Sequence, residues 1–307
     1  MRLLRTMASA AVALAALTVT ACGADNDPMG NTSAEPSGSA GGGPVVVGSA
    51  NFTESQVLAE LYAQAMKAKG VDASTKLNIG SREIYIKALQ DSSISVVPEY
   101  TGNLLLFFDK DAKATTQADV EKALPAAVGD LKLGKSSAAA DQDVFVVTKA
   151  FSEQNGVTSL EDLKKVSANA VLGGPSELAT RPYGVPGLKS VYGATFKQFK
   201  PYDSPAVKVK DLNDDKIQVA NFFTTESAIV DNGYVMLDDP KAMILPQNII
   251  PLMRSDVAGN TAATGAIDAV QAALTTEELT ALNKLVDVDR EDPDQVAGDW
   301  LKTKGLA

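Results

Sequence analysis

The feature that most constrains the fold is an alternation of short apolar strands with amphipathic helices, which begins at residue 45. The predicted order is strand 45–49, helix 53–70, strand 77–79, helix 83–90 and strand 94–97. The first helix carries a capping-box pattern, with Thr53 predicted as its N-cap and Gln56 three residues later. This alternation is typical of a mostly parallel sheet covered by helices.

The same alternation returns in the second half of the chain. The predicted order there is strand 144–148, helix 160–165, strand 170–172, helix 185–192, strand 197–202, helix 207–213, strand 217–222 and strand 235–237, followed by helices 262–274, 276–286 and 295–304. Ligands bind at the carboxyl ends of the strands in open sheets. Two such units therefore predict an α/β protein with two lobes and a ligand cleft between them.

The sequence "SVVPEYTGN" at 95–103 marks one strand end. A β-branched run stops at Pro98, and an acid, an aromatic and a hydroxyl follow at once. A buried strand that ends here delivers Tyr100, Thr101 and Asn103 to one edge of its sheet, which makes that edge a candidate binding site.

The N-terminus has the pattern of an export signal. Arg2 and Arg5 precede an apolar run at 8–19 that is too short for an ordinary membrane span. Small residues then lead to Cys22, the only cysteine in the chain. The segment resembles the lipobox of bacterial lipoproteins, which implies a signal peptide at 1–21 and a lipid anchor on Cys22. The alternative is an ordinary cleaved signal with an incidental cysteine.

Residues 22–44 are rich in Gly, Ser, Pro and small polar residues. They cannot bury enough apolar area to offset the entropy of ordering them. We therefore expect a flexible tether that connects the lipid anchor to a folded part beginning near Val45.

Composition excludes several kinds of site. The chain has no histidine, which removes Ser-His-Asp and Cys-His catalysis and histidine-based metal sites. The net charge of −10 argues against a nucleic-acid partner. We expect no cofactor and no metal.

Six sequence segments occur in the order found in one family. They are "VGSANFTES", "ALQDSSISVVPEYTGN", "RPYGVPGLKSVYG", "VANFFTTESAI", "VMLDDPK" and "VAGDWLKTKGL". Together they resemble the osmoprotectant-binding proteins of the glycine betaine, choline and carnitine ABC importers, the ProX/OpuC type. The resemblance implies the type II periplasmic-binding-protein fold, with lobe 1 at 45–142 plus 245–307 and lobe 2 at 143–244. It also implies a monomer that serves an ABC permease and its ATPase.

The ligands of that family carry a quaternary ammonium group. Such a group has no N–H to donate, so aromatic faces and nearby negative charge must hold it. The resemblance places Tyr100 and Phe223 as opposite walls of an aromatic cage, because strand alternation turns Phe222 to the other side. Asn103 stands where the family has a polar residue that touches the ligand. The alternative for Tyr100 is packing against a helix of its own lobe.

Charged residues supply further candidates. Arg181, before "PYGVPGL", matches a family arginine, and a guanidinium suits bidentate contact with a ligand carboxylate. Its alternative partner is Glu177, at i, i+4 on the same helical face. Asp141 and Asp143 could offset the ammonium charge or could be solvated hinge residues. The complete predicted ligand-binding set is Asn51, Tyr100, Asn103, Asp141, Asp143, Arg181, Phe223, Thr224, Gln247 and Asn248.

Two departures from the family predict an altered pocket. Ala50 stands where the family often has a side chain that reaches the ligand carboxylate, and Gln247 stands at the position of a cage tyrosine. The amides of Gln247 and Asn248 offer donors and acceptors that a trimethylammonium group cannot use. We therefore expect weak binding of glycine betaine, or a larger or more hydroxylated ligand. The alternative is an alignment slip, with an aromatic such as Tyr183 filling the gap.

The sequence thus predicts a receptor for quaternary-ammonium osmoprotectants that is not an enzyme. Two alternatives stay open. The same scaffold could bind another small polar or polyphenolic ligand. The chain could also be an exported enzyme, for which a carboxylate-pair glycosidase is the only chemistry that the composition allows.

Overall fold

The structure is a computed structural model that describes residues 43–307. The predicted signal peptide, Cys22 and most of the predicted tether fall within residues 1–42 and lie outside the described residues. Gly43 and Pro44 are exposed and precede the first strand. No helix within residues 43–307 is long and apolar enough to cross a bilayer.

The strands are β1 (Val45–Gly48), β2 (Ala73–Lys76), β3 (Val96–Tyr100), β4 (Lys132–Leu133), β5 (Asp143–Val147), β6 (Val171–Gly174), β7 (Gln198–Pro201), β8 (Val219–Phe223), β9 (Val235–Met236) and β10 (Ile249–Met253). The helices are α1 (Thr53–Ala68), α2 (Arg82–Gln90), α3 (Thr101–Phe108), α4 (Gln117–Ala127), α5 (Lys149–Asn155), α6 (Leu163–Val166), α7 (Val185–Tyr192), α8 (Pro205–Asn213), α9 (Ala228–Asp231), α10 (Ser255–Ala258), α11 (Thr261–Ala273), α12 (Thr276–Asp287) and α13 (Pro293–Lys304). Two short 3-10 helices lie at 167–169 and 176–179.

These strands form two five-stranded sheets with the same pattern of connections. The first has the order β2-β1-β3-β10-β4, and the second has the order β7-β6-β8-β5-β9. In each sheet the second strand pairs in parallel with its two neighbours, and the fourth strand is antiparallel to both of its neighbours. The expectation of mostly parallel pairing is therefore wrong at β5 and β10, the strands on which the chain enters the second sheet and returns to the first.

The common pattern makes the ends of β3 and β8 equivalent positions. Tyr100 is the last residue of β3, and Phe223 is the last residue of β8. The two aromatic residues singled out in the sequence therefore occupy corresponding places, one in each sheet.

Strand β3 does not stop at its proline, as the sequence analysis expected. It continues to Tyr100, and Pro98 stands opposite Pro251 of the antiparallel β10. On its other side β3 pairs with β1 only at Val96. Proline has no N–H to donate, and no strand on that side requires a hydrogen bond from position 98.

Two local predictions at the amino end of the first lobe were also wrong. The strand expected at 77–79 is β2, four residues earlier, where a half-exposed edge strand carries polar residues. The N-cap of α1 is Phe52 rather than Thr53, and the Thr53 hydroxyl donates to Oδ1 of Asp287 at 2.6 Å. Glu54 lies in the first turn of α1.

We call the first sheet with α1–α4 and α10–α13 the first lobe, and the second sheet with α5–α9 the second lobe. Helices α11, α12 and α13 pack on α1, so the C-terminal part of the chain returns to the first lobe. Leu58 and Leu61 of α1 are fully buried there, and burial of such a side chain contributes about 1.5–3 kcal/mol. Trp300 belongs to the same core. The exact lobe limits stay a prediction, although every strand of the second sheet lies within 143–244.

Candidate functional site

A cavity of about 330 Å³ lies between the two lobes. The first lobe contributes the β1–α1 connection, α2 and the end of β3, and the second lobe contributes the segments that follow β6, β7 and β8. Carboxyl ends of strands from both sheets therefore meet at one place, which is where open α/β sheets bind ligands. The volume suits a small molecule.

Three aromatic rings form a row along the cavity wall, which we call the aromatic row: Tyr100, Phe52 and Phe223. The centroid of the Phe52 ring lies 6.0 Å from that of Tyr100 and 5.6 Å from that of Phe223. The Phe52 and Phe223 rings are stacked at 25°. Tyr100 and Phe223 are thus linked through Phe52, which the sequence analysis did not select.

Neighbouring phenylalanines of β8 have different environments. Phe222 is fully buried, with its ring centroid 5.6 Å from that of Tyr234, whereas Phe223 reaches the cavity. Lys208 lies 3.7 Å from the centroid of the Phe222 ring. Strand alternation accounts for this division between core and cavity.

Glu54 lies beneath the aromatic row and connects both lobes. Its Oε1 accepts a hydrogen bond from the Tyr100 hydroxyl at 2.7 Å. Its Oε2 accepts from the Thr225 hydroxyl and from Nδ2 of Asn283, each at 2.7 Å. Thr225 belongs to the second lobe, so the Glu54 carboxyl joins the two lobes through neutral donors.

Asp141, on the first crossing between the lobes, is the second carboxyl of this region. Its Oδ1 accepts from the Thr225 N–H at 3.0 Å and from the Thr224 hydroxyl at 3.2 Å. Burial raises the pKa of Glu54, although the hydrogen bonds that Glu54 accepts act to lower it. Burial and then the charge of Glu54 raise the pKa of Asp141 well above its usual range. We call Glu54, Asp141 and their donors the acid side of the cavity.

Asp143, the first residue of β5, lies on the cavity wall nearer to the arginines. Its Oδ2 accepts from Nδ2 of Asn103 at 2.7 Å, and its Oδ1 accepts from Nδ2 of Asn221 at 3.1 Å. Burial raises the pKa of Asp143, while these hydrogen bonds and the guanidinium charges of Arg82 and Arg181 oppose that rise.

Arg82 makes a buried ion pair at the edge of the cavity. Its Nε and Nη2 donate to the two carboxylate oxygens of Glu99, both at 2.8 Å. The Tyr85 hydroxyl also donates to Glu99 at 2.8 Å. Arg82 is 9% exposed and Glu99 is fully buried, so each charge depends on its partner.

Arg181 makes a second bidentate pair, and this one joins the lobes. Its Nη1 and Nη2 donate to the Glu83 carboxylate at 2.7 and 3.1 Å, and its guanidinium lies 5.7 Å from the centroid of the Phe107 ring. Glu83 and Phe107 both lie in the first lobe. The alternative pairing with the Glu177 side chain is wrong, because only the backbone N–H of Arg181 contacts Glu177, at its carbonyl oxygen. We call Arg82, Glu99, Arg181 and Glu83 the arginine side.

Comparison with known proteins decides the family. A family model described as the substrate-binding domain of ABC-type glycine betaine transport systems matches residues 43–303. The chain belongs to this family.

Curated relatives carry related names. The glycine betaine-binding protein YehZ of Escherichia coli is 25% identical over 277 residues, which cover 85% of this chain and 91% of that protein. A glycine-betaine-binding protein of Pseudomonas aeruginosa is 26% identical over 276 residues, 85% of this chain and 88% of that protein.

The fold also has solved relatives. The crystal structure of a glycine betaine/carnitine/choline ABC transporter protein superposes with a TM-score of 0.68, at 22% identity, over 85% of this chain and 99% of that one. The predicted α/β, periplasmic-binding-protein fold class is thereby confirmed. The predicted family is confirmed by the family match.

Membership fixes the general role of the chain. It is the substrate-binding component of an ABC transport system, which acts with a permease and its ATPase, and the family is not a class of enzymes. Residues 43–307 contain no cluster of acidic or sulfur side chains arranged to hold a metal ion.

The structure brings most of the predicted site residues of this family member to the cavity. Those on its wall are Asn51, Tyr100, Asn103, Asp141, Asp143, Arg181 and Phe223. Tyr183, considered as a substitute aromatic, also lies there. Their part in binding stays a prediction.

Three predicted residues do not line the cavity, and this corrects the expectation of free amides in the pocket. Gln247 is fully buried and exchanges hydrogen bonds with the Asn103 backbone and side chain at 2.9 and 2.6 Å. Asn248 donates to the carbonyl oxygen of Ser137 at 3.1 Å. The Thr224 hydroxyl donates to Asp141 and accepts from the N–H of Gln142. Gln247 and Thr224 thus hydrogen-bond to residues of the wall, Asn103 and Asp141.

Sequence reasoning missed Phe52, Glu54 and Arg82. A usable signal existed for the first two, because "NFTE" follows a predicted strand at the same kind of position as "YTGN". Arg82 had no local signal, since its partner Glu99 lies on another strand.

Proposed function

We propose that the chain captures a small quaternary-ammonium solute between its two lobes and delivers it to an ABC permease. The observation that carries this proposal is the aromatic row, in which rings from both lobes meet beside buried carboxyls. A quaternary ammonium is attracted to aromatic faces and to negative charge and needs no hydrogen-bond acceptor. The printed names of the relatives, which are glycine betaine-binding proteins, support the same class of ligand.

Alanine substitutions in the aromatic row test this proposal. Tyr100→Ala and Phe223→Ala should each weaken binding by about 1–2 kcal/mol, the size of a desolvated cation–π contact. This corresponds to a roughly 5- to 30-fold increase in Kd, measured by titration calorimetry with glycine betaine, choline and carnitine. Phe151→Ala is the matched control, because Phe151 lies on α5 outside the cavity wall. Wild-type affinity of Tyr100→Ala for the whole panel would exclude the aromatic site.

The proposal includes an extracytoplasmic location with a lipid anchor. Its support is the export signal at 1–21 and the sole cysteine, Cys22, followed by the tether at 22–44. Cys22→Ser should release the protein into the medium or leave it unprocessed. Detergent-phase partitioning of the variant measures this, and partitioning equal to wild type would contradict the anchor.

We further propose that the protein binds as a monomer and does not catalyse a reaction. The cavity wall is formed by the two lobes of one chain, so a second copy is not needed to complete it. Binding across two lobes shifts the population from open to closed forms. Light scattering with and without ligand should give one monomeric mass.

A further inference from the structure

The basic side chains on the described cavity wall are already paired with carboxylates. The pairs are Arg82–Glu99, Arg181–Glu83 and Lys208–Glu226. Both guanidinium groups are held in bidentate geometry. A ligand carboxylate would therefore have to displace a protein carboxylate in order to gain a cationic partner.

The carboxyls of the acid side lack such partners. Glu54 accepts hydrogen bonds from Tyr100, Thr225 and Asn283, all of them neutral. Asp141 accepts from the Thr225 N–H and a neighbouring hydroxyl. Among the described residues, neither carboxyl forms an ion pair with a lysine or an arginine. The cavity therefore offers two carboxyls without cationic partners and no unpaired basic group.

This inference rests on the proposed function: we propose that the cavity selects a net cation over a carboxylate-bearing zwitterion, and that the cation displaces a proton from the Glu54–Asp141 pair. The cation binds to the protonated pair, the pair becomes anionic, and one proton passes to solvent, so the charges balance.

The surroundings of the pair favour this exchange. Burial raises the pKa of both carboxyls, which favours a proton on the pair when no cation is bound. The titratable groups that act on the pair are Tyr100 from β3 and Glu226 after β8, and Asp287 from α12 lines the same cavity. None of these three brings positive charge, and the guanidinium groups act on Asp143 instead. A bound ammonium would be the first cation beside the pair.

Choline and glycine betaine are suitable probes, because both carry a trimethylammonium group and they differ in having a hydroxyl or a carboxylate. Calorimetric titration of the whole protein should show choline binding about tenfold tighter. The heat of choline binding should differ between phosphate and Tris buffers, because the released proton is taken up by the buffer. Choline affinity should also fall as the pH is lowered, because the pair then holds its proton more firmly.

Glu54→Gln tests the origin of the proton, since the amide keeps the shape of the side chain and cannot titrate. The variant should lose the buffer-dependent heat and most of the preference for choline. Glu60→Gln is the matched control. Glu60 is a buried, hydrogen-bonded glutamate on the same helix outside the cavity, so this variant should retain both properties.

The outcomes separate this inference from the proposed function. If wild-type protein binds both probes with equal affinity, or binds betaine more tightly, the charge preference is wrong while the proposed function stands. If choline binding gives the same heat in both buffers, the proton release is wrong. Both of these tests use the wild-type protein and do not depend on whether Glu54→Gln folds. Failure to bind any quaternary-ammonium compound would overturn the proposed function and this inference together.

Discussion

The acid side and the arginine side of the cavity differ in the partners that their charged side chains have. On the arginine side, Arg82 and Arg181 each meet a carboxylate in bidentate geometry. On the acid side, Glu54 and Asp141 are surrounded by hydroxyl, amide and backbone donors.

This difference shows which side can respond to a ligand. A buried ion pair is already neutral as a unit, and removing either partner leaves an isolated charge. A buried carboxyl without a cation can instead take up a proton, and it can give that proton up when a cation arrives. The arginine side therefore mainly stabilises the fold and joins the lobes, while the acid side is where ligand charge changes the protein.

The largest effect should come from breaking the Arg82–Glu99 pair. Glu99→Ala leaves the Arg82 guanidinium buried without its carboxylate, and should lower the free energy of unfolding by about 3–5 kcal/mol. Urea denaturation measures this change. Asp256→Ala is the control, because it removes a bidentate arginine partner at an exposed position, where Asp256 is 52% exposed, and it should cost no more than about 1 kcal/mol. Equal losses in the two variants would remove the distinction that we draw between buried and exposed pairs.

The next effect concerns the acid side and its dependence on pH. The pKa of Glu54 is raised by burial in the folded protein, so the protonated form is favoured by folding. Its contribution to stability is complete below the usual glutamate pKa and is lost as the pH rises through the raised value. Without ligand, Glu54→Gln should therefore gain in free energy of unfolding relative to wild type as the pH rises from acid to neutral.

Paired denaturation curves at a series of pH values measure this difference, because contributions of groups that do not interact with Glu54 cancel between the two proteins. Asp141 contributes to the difference as well, since the charge of Glu54 acts on its pKa. A difference that stays constant with pH would show that Glu54 is ionised without cost, and the contrast between the two sides would then disappear. Adding choline should reduce the difference, since the cation stabilises the carboxylate form.

The smallest effect concerns the pair that joins the lobes. Partial burial of Glu83 acts to raise its pKa, but hydrogen bonds from Arg181 and Ser81 outweigh burial and lower the pKa to about 2. The stabilisation from this pair is present above the usual glutamate pKa and is lost as the pH falls towards the lowered value. Because Glu83 is 48% exposed, solvent screening limits the pair to about 1 kcal/mol.

Glu83→Gln should release the Arg181 guanidinium for a ligand carboxylate. The affinity for glycine betaine relative to choline should then rise by up to about fivefold, which is the equivalent of about 1 kcal/mol. The ratio of the two Kd values is the measurement, since any general loss of lobe closure affects both ligands alike. An unchanged ratio would mean that Arg181 does not reach the ligand even when it is free.

Much of the fold followed from local sequence pattern. Helix α7 occupies 185–192 as predicted, and the strands that end at Tyr100 and Phe223 were located to within a few residues. These elements carry apolar periodicity and clear end signals such as Gly193. The edge strand β2 was displaced because its sequence ASTK carries no apolar alternation, and helices α3 and α4 were not predicted.

The sequence by itself determined the two-lobed α/β architecture, the family, and the arrival of Tyr100 and Phe223 at one cavity. Only the tertiary structure decided which charges are compensated. Arg181 meets Glu83 across 98 residues of chain, and Glu54 meets Thr225 and Asn283 across 171 and 229. Strand and helix patterns depend on near neighbours, whereas the charge state of a buried side chain depends on whatever distant segment folding brings within hydrogen-bond distance. The ligand preference of the cavity therefore depends on contacts between residues that are distant in the chain, and no local sequence pattern predicts such contacts.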